Sequence, residues 1–129
     1  MERTLLILCG LAGLTAVVLG AFGAHGLGNY LPAGDAAARQ GFWRTAADYH
    51  LAHALALGLT AYLVRRGAGS VAAWAGYLFA GGVVLFSGSL YVMALTGTRA
   101  LGVVTPLGGM LLVGGWAAVA LAGFKVSSR

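Results

Sequence analysis

The chain has 129 residues, a length that fits one domain. Its 60% hydrophobic and 9% charged content, with a mean hydropathy of +0.88, excludes an ordinary soluble globule, which carries roughly 25% charged residues. The net charge of +5 sits as single or paired basic residues at the ends of apolar runs, a pattern of membrane topology and headgroup contact; there is no basic stripe or stacking platform for nucleic acid.

The first apolar run extends from Thr4 to Ala24. It is too long for a cleavable signal core, which spans roughly 7–15 residues, and long enough to cross a bilayer, which takes roughly 20. Cys9, the single cysteine, lies inside this run and reads as a small packing residue. The segment from His25 to Thr45 follows as the one long loop, broken by Gly26, Gly28, Pro32 and Gly34. Asp35 and Arg39 have the spacing of a helical ion pair, so a short interfacial helix is expected there. Tyr30, Phe42 and Trp43 suit a belt at headgroup level.

The second run covers Ala46 to Val64 and ends at Arg65, Arg66 and Gly67. The third covers Val71 to Leu95, with Ser70 placed to cap its start and Gly97 following its end. The fourth covers Pro106 to Phe124, with Thr105 as N-cap and Pro106 at the first helical position. The expected fold is therefore all-α. It is an integral membrane four-helix bundle, a single transmembrane domain over 1–129, with short loops and one longer outer loop between helices 1 and 2. With four spans, Arg3, Arg65, Arg66, Lys125 and Arg129 share one side, and Arg39, Arg44 and Arg99 the other. The richer side is cytoplasmic, which places both termini there, in the inner membrane of the cell.

The stretch Thr45 to Leu57 brings two histidines into an apolar helix. At 100° per residue, Ala46, Tyr49, His50, His53, Leu57 and Thr60 share one face, and Leu51, Leu55, Leu59 and Tyr62 the opposite one. The leucine face meets lipid, so the histidine face turns inward. Asp48 falls on the lipid-side half, where it is expected to pair with Arg44 and headgroups. His25, Ser87, Ser89, Tyr91 and Thr105 belong to the same half of the membrane, and the other half offers little that is polar. One outward-facing polar pocket is expected: Tyr49, His50 and His53 facing Ser87 and Tyr91, with Ser89 and Thr105 nearby and His25 at the rim.

Ionisable residues inside a membrane mark functional sites by default, although a neutral histidine also serves as helix glue. A lipid or small-amphiphile site, or support of a membrane complex, is the favoured function. A metal-binding or transport role for His25, His50 and His53 is the alternative. No nucleophile, base and orienting group occur together, so an enzyme is disfavoured and no cofactor is implied. Membrane lipid is the expected partner, with a second copy of the chain or a membrane-complex subunit as further candidates. Gly20, Gly23, Gly81, Gly82, Gly88, Gly108, Gly109, Gly114 and Gly115 read as sites of close helix crossing.

Four blocks carry a resemblance: "GAFGAHGL" (20–27), "WRTAADYHLAHALAL" (43–57), "FSGSLYVMALTG" (86–97) and "TPLGGMLLVGGW" (105–116). Together, and in this order, they resemble the YgdD-like family of small inner-membrane proteins, also called domain of unknown function 423, with the eukaryotic transmembrane protein 256 as a relative. The resemblance implies a small multi-spanning membrane protein and brings no activity, substrate or catalytic set. It places His25, Tyr49, His50, His53, Ser87, Ser89, Tyr91, Thr105 and Pro106 within the family's recurrent blocks. The acid at Asp48 is a departure, since it stands where a variable residue is expected.

Overall fold

A computed structural model describes residues 1–126, and these are all-helical, with no strand among them. The elements are α1 (Glu2–His25), a 3-10 turn (Leu27–Tyr30), α2 (Ala36–Leu63), a π-type turn (Val64–Ala68), α3 (Gly69–Thr96), a second 3-10 turn (Ala100–Val103) and α4 (Val104–Gly123). Three helical stretches are long and apolar enough to cross a membrane: Glu2–His25, Ala36–Thr96 and Ala100–Gly123. The middle stretch folds back on itself. Gly67 at φ 88° and Gly69 at φ 67° take backbone conformations that other residues resist, and the chain reverses between α2 and α3.

The side-chain partners show how the helices run. Arg39 meets Ala94, and Ser87 meets Ala46. A side chain at Gly76 would strike Thr60, so α2 and α3 are antiparallel. Trp43 sits over Gly23 and Cys9 beside Gly58, which lays α1 antiparallel against α2. Leu112 fills the notch at Gly82 and Phe79 the notch at Gly115, laying α4 antiparallel against α3. Packing thus runs between chain neighbours, and Leu5 of α1 additionally reaches Gly76 on α3. One core cluster joins Leu5, Leu57, Phe79, Val83 and Leu112; another joins Leu27, Trp43, Leu90, Tyr91 and Met93. The outer faces of α1 and α4 stay apolar and exposed, as at Leu14, Val18, Met110 and Val113.

Several expectations change. The long loop is shorter than His25 to Thr45, because α2 already starts at Ala36. Asp35 and Arg39 do pair, at 3.6 Å, but they open α2 rather than forming a separate interfacial helix. Trp43 leaves the expected belt for the core, only 3% exposed. Ser70 caps nothing: Gly69 begins α3 and no side chain bonds its first turn. Thr105 lies inside the first turn of α4, whose N-cap is Val103. Gly97 closes α3 in the left-handed region at φ 71°, and its N–H donates to the Met93 carbonyl. Arg129 lies outside the described residues.

Candidate functional site

The early start of α2 has a local cause. A helix leaves its last carbonyls without partners, and the first turns of α2 supply donors to two such ends. Arg39 is buried, and its Nε donates to the Ala94 carbonyl at 2.6 Å while Nη2 donates to the Leu95 carbonyl. A cation at a helix C-terminus also meets the negative end of the backbone dipole. Gln40 Nε2 donates to the Gly23 carbonyl at 2.9 Å, and Trp43 Nε1 to the Leu19 carbonyl at 2.8 Å. Sequence reasoning missed these three roles. The available signal was the run of donors Arg39, Gln40 and Trp43 just where two helix ends fall.

His50 sits at the meeting point of α1, α2 and α3. Its Nδ1 lies 3.2 Å from the Tyr91 hydroxyl and its Nε2 3.3 Å from Thr15 Oγ1. Thr15 Oγ1 in turn lies 2.9 Å from the Leu11 carbonyl. One tautomer leaves no donor idle: Tyr91 O–H donates to Nδ1, Nε2–H donates to Thr15, and Thr15 O–H donates to Leu11. Ser87 donates to the Ala46 carbonyl at 2.8 Å, one turn away. These groups form the polar floor of an open groove of about 420 Å³ between α1 and α3. Its walls are otherwise apolar, from Leu8, Leu11 and Leu19 on α1 to Ala80, Val83 and Val84 on α3.

His53 belongs elsewhere. Its Nδ1 faces the Tyr49 carbonyl at 2.7 Å, so that nitrogen carries the proton. Nε2 then accepts from Trp116 Nε1–H at 3.1 Å, across to α4. Tyr49 stacks on the His53 ring at 5.8 Å and packs on Phe86 at 4.5 Å. Together with Pro106, Met110 and Trp116 they line a second groove of about 610 Å³ between α2 and α4. The two histidines therefore hold different tautomers and turn to different neighbours of α2, His50 to α1 and α3 and His53 to α4.

The expected single pocket is thus corrected. His50, Ser87 and Tyr91 come together; Tyr49 and His53 form a separate cluster. The reason is angular: three residues of helix turn the two rings by about 60° from each other, enough to send one toward α1 and the other toward α4. Ser89 bonds the Phe86 carbonyl and Thr105 Oγ1, at 2.9 and 2.7 Å, tying α3 to α4 outside either groove. His25 is exposed at the end of α1 and joins neither cluster. Among the described residues no three His, Cys, Asp or Glu side chains converge as a metal site, so the trio His25, His50 and His53 does not assemble. The expected Arg44–Asp48 pair is absent among the ion pairs of the described residues, and both side chains are exposed.

The glycines divide as well. A Cβ at Gly23, Gly82, Gly108 or Gly115 would run into Trp43, Leu112, the Phe86 backbone or Phe79 respectively. At Gly81, Gly109 and Gly114 it would make ordinary contact, and at Gly20 and Gly88 it would meet nothing within 4 Å. Gly76, which the sequence reading passed over, is a close crossing too, against Leu5 and Thr60.

Long apolar helices, outward-facing leucines and valines, and polar groups gathered between the helices define a small helical membrane protein. The chain belongs to the family described as "Protein of unknown function (DUF423)", whose model matches residues 19–109. It is 42% identical over 125 residues to the UPF0382 membrane protein YwdK of Bacillus subtilis, covering 95% of this chain and 98% of that one. It is 41% identical to the UPF0382 membrane protein SSP2132 of Staphylococcus saprophyticus, covering 96% of this chain and 99% of that one. To the UPF0382 inner membrane protein YgdD of Escherichia coli it is 35% identical over 128 residues, covering 99% and 95%. No solved structure matches it.

Proposed function

We propose that this is a multi-pass inner-membrane protein that crosses the bilayer four times, with both termini cytoplasmic. In this reading it binds a lipid or small amphiphile, without catalysis, in the groove between α1 and α3. The observation that carries the reading is the groove itself: about 420 Å³, open at the side, apolar along its walls and polar only at Thr15, His50, Ser87 and Tyr91. Such lining suits an apolar chain lying against Leu8, Leu11 and Val84 with a hydrogen-bonding end at the His50 chain. The inner-membrane placement draws on the printed name of the Escherichia coli relative, and the orientation on the basic asymmetry.

Gly88 offers a clean test, because it lines the groove and an added Cβ there meets nothing within 4 Å. Leucine at this position is expected to take up space in the groove. Native mass spectrometry of the purified chain is expected to show one bound amphiphile, strongly reduced in Gly88→Leu. A wild-type chain that carries none, or a variant that carries as much, overturns the reading.

A further inference from the structure

The hydrogen bonds at the floor of the groove between α1 and α3 are one-sided, because each side-chain donor there is already engaged. Tyr91 O–H donates to His50 Nδ1 at 3.2 Å, and His50 Nε2–H to Thr15 Oγ1 at 3.3 Å. Thr15 O–H donates to the Leu11 carbonyl at 2.9 Å, and Ser87 O–H to the Ala46 carbonyl at 2.8 Å. Among the described residues the lining holds no other polar side chain, and no Lys, Arg, Asp or Glu. No donor is left over, but acceptors are. A hydroxyl oxygen has two lone pairs. Thr15 Oγ1 uses one for His50 and keeps the other. The Tyr91 oxygen accepts no hydrogen bond among the described residues. Ser87 and Tyr91 are buried and Thr15 is exposed, so the Thr15 oxygen is the one an incoming molecule reaches first.

We infer that the amphiphile of this groove is a neutral long-chain alcohol, whose hydroxyl donates to Thr15 Oγ1. The inference deepens the reading of the groove as an amphiphile site and rests on it. The hydrogen-bond census excludes the other polar ends. An ester, a ketone or a carboxylate only accepts, so it would face oxygen lone pairs with no donor to meet it. A protonated amine donates, but no acid lines the groove to pair with it, and no base is there for a phosphate. Thr15 lies ten residues, about 15 Å, from His25 at the end of α1, inside the apolar run, where an unpaired charge is costly. A neutral hydroxyl also lacks partners among lipid chains, and the Thr15 oxygen supplies one. The His50 tautomer sets the sign of the preference. With the proton on Nδ1 instead, the Tyr91 O–H would be free to donate, and the groove would favour an acceptor.

The purified full-length protein is offered, in separate samples, hexadecanol, its methyl ether and methyl hexadecanoate, and retention is read by native mass spectrometry. The three share one chain, but the ether and the ester only accept hydrogen bonds. Wild-type protein is expected to bind the alcohol roughly fivefold more tightly than either, the effect of one hydrogen bond. Thr15→Val keeps the branched shape, removes the accepting oxygen and leaves His50 Nε2–H free to donate. In this variant the alcohol is expected to lose its advantage and the ester to gain. Gly88→Leu is expected to reduce retention of all three. Circular dichroism checks that each variant keeps the wild-type helicity; if Thr15→Val does not fold, the wild-type comparison of alcohol with ether still decides. Equal retention of alcohol and ether by the wild type, or an alcohol preference unchanged in folded Thr15→Val, would overturn the alcohol and leave the groove an amphiphile site. Retention of none of the three, or retention indifferent to Gly88→Leu, would overturn the reading of the groove itself, and the alcohol with it.

Discussion

Replacing Arg39 by methionine removes a buried cation from the end of α3 while keeping an unbranched side chain of similar reach. Two charge-assisted hydrogen bonds disappear, from Nε to the Ala94 carbonyl and from Nη2 to the Leu95 carbonyl. Hydrogen bonds to charged groups each contribute roughly 1.5–3 kcal/mol. One side chain makes both, so they do not simply add. The ion pair with Asp35, whose side chain is 52% exposed, contributes less than about 1 kcal/mol. The expected loss for Arg39→Met is therefore roughly 2–4 kcal/mol. For a chain of this size that corresponds to a melting temperature lower by about 6–15 °C. Lysine at 39 keeps the charge without the two-pronged geometry and should lose roughly half as much. Asp35→Asn should cost less than about 1 kcal/mol. Thermal unfolding of the solubilised protein, followed by circular dichroism, measures all three. If Arg39→Met melts within a degree of wild type, or Asp35→Asn is as damaging as Arg39→Met, the capping argument is wrong.

Three further outcomes are expected. Gly108→Ala drives a methyl group into the Phe86 backbone and should cost roughly 1–3 kcal/mol. Gly13→Ala enters open space in the single chain and should leave the thermal stability of the monomer within about 1 kcal/mol of wild type, or raise it. In 15N spectra of the imidazoles, His50 should appear as the Nε2–H tautomer and His53 as the Nδ1–H tautomer, and Trp116→Phe should alter the His53 signals and leave those of His50 in place; the same tautomer at both rings contradicts the assignment. Reporter fusions after Phe124 and within the Arg65–Gly69 turn should both report cytoplasm, and an external signal from either refutes the four-crossing topology.

The number and order of the apolar helices and most of their faces were legible because hydropathy and the 3.6-residue period act locally, whereas the start of α2 at Ala36 was not. Leu51, Leu55, Leu59 and Tyr62 do face outward, while Ala46, His50, His53, Leu57 and Thr60 are buried; Tyr49, expected on the inward face with them, is 44% exposed. What the sequence concealed depends on partners that are distant along the chain. A helical wheel places His50 and His53 on one broad face, but it does not show that α1 and α4 stand on either side of that face and take one ring each. Charge composition marked Arg39 as a residue for the water side, and only the position of the α3 terminus reveals two carbonyls waiting for it. Trp43 shows the same limit: an aromatic near a helix start suits a headgroup belt until the opposing residue, Gly23, makes room for the indole in the core. The glycine pattern announced close helix packing, yet which glycines are crossings follows from the register of one helix against another.

The most direct test of the central claim is photolabelling in the bilayer with a phospholipid that carries a diazirine along one acyl chain. If the groove between α1 and α3 holds an amphiphile, label should concentrate on groove residues such as Leu11, Ala80 and Val84, and Gly88→Leu should remove most of it. Label spread evenly over the outer face of α1, at Leu6, Leu14 and Val18, and unchanged by Gly88→Leu, would contradict the account.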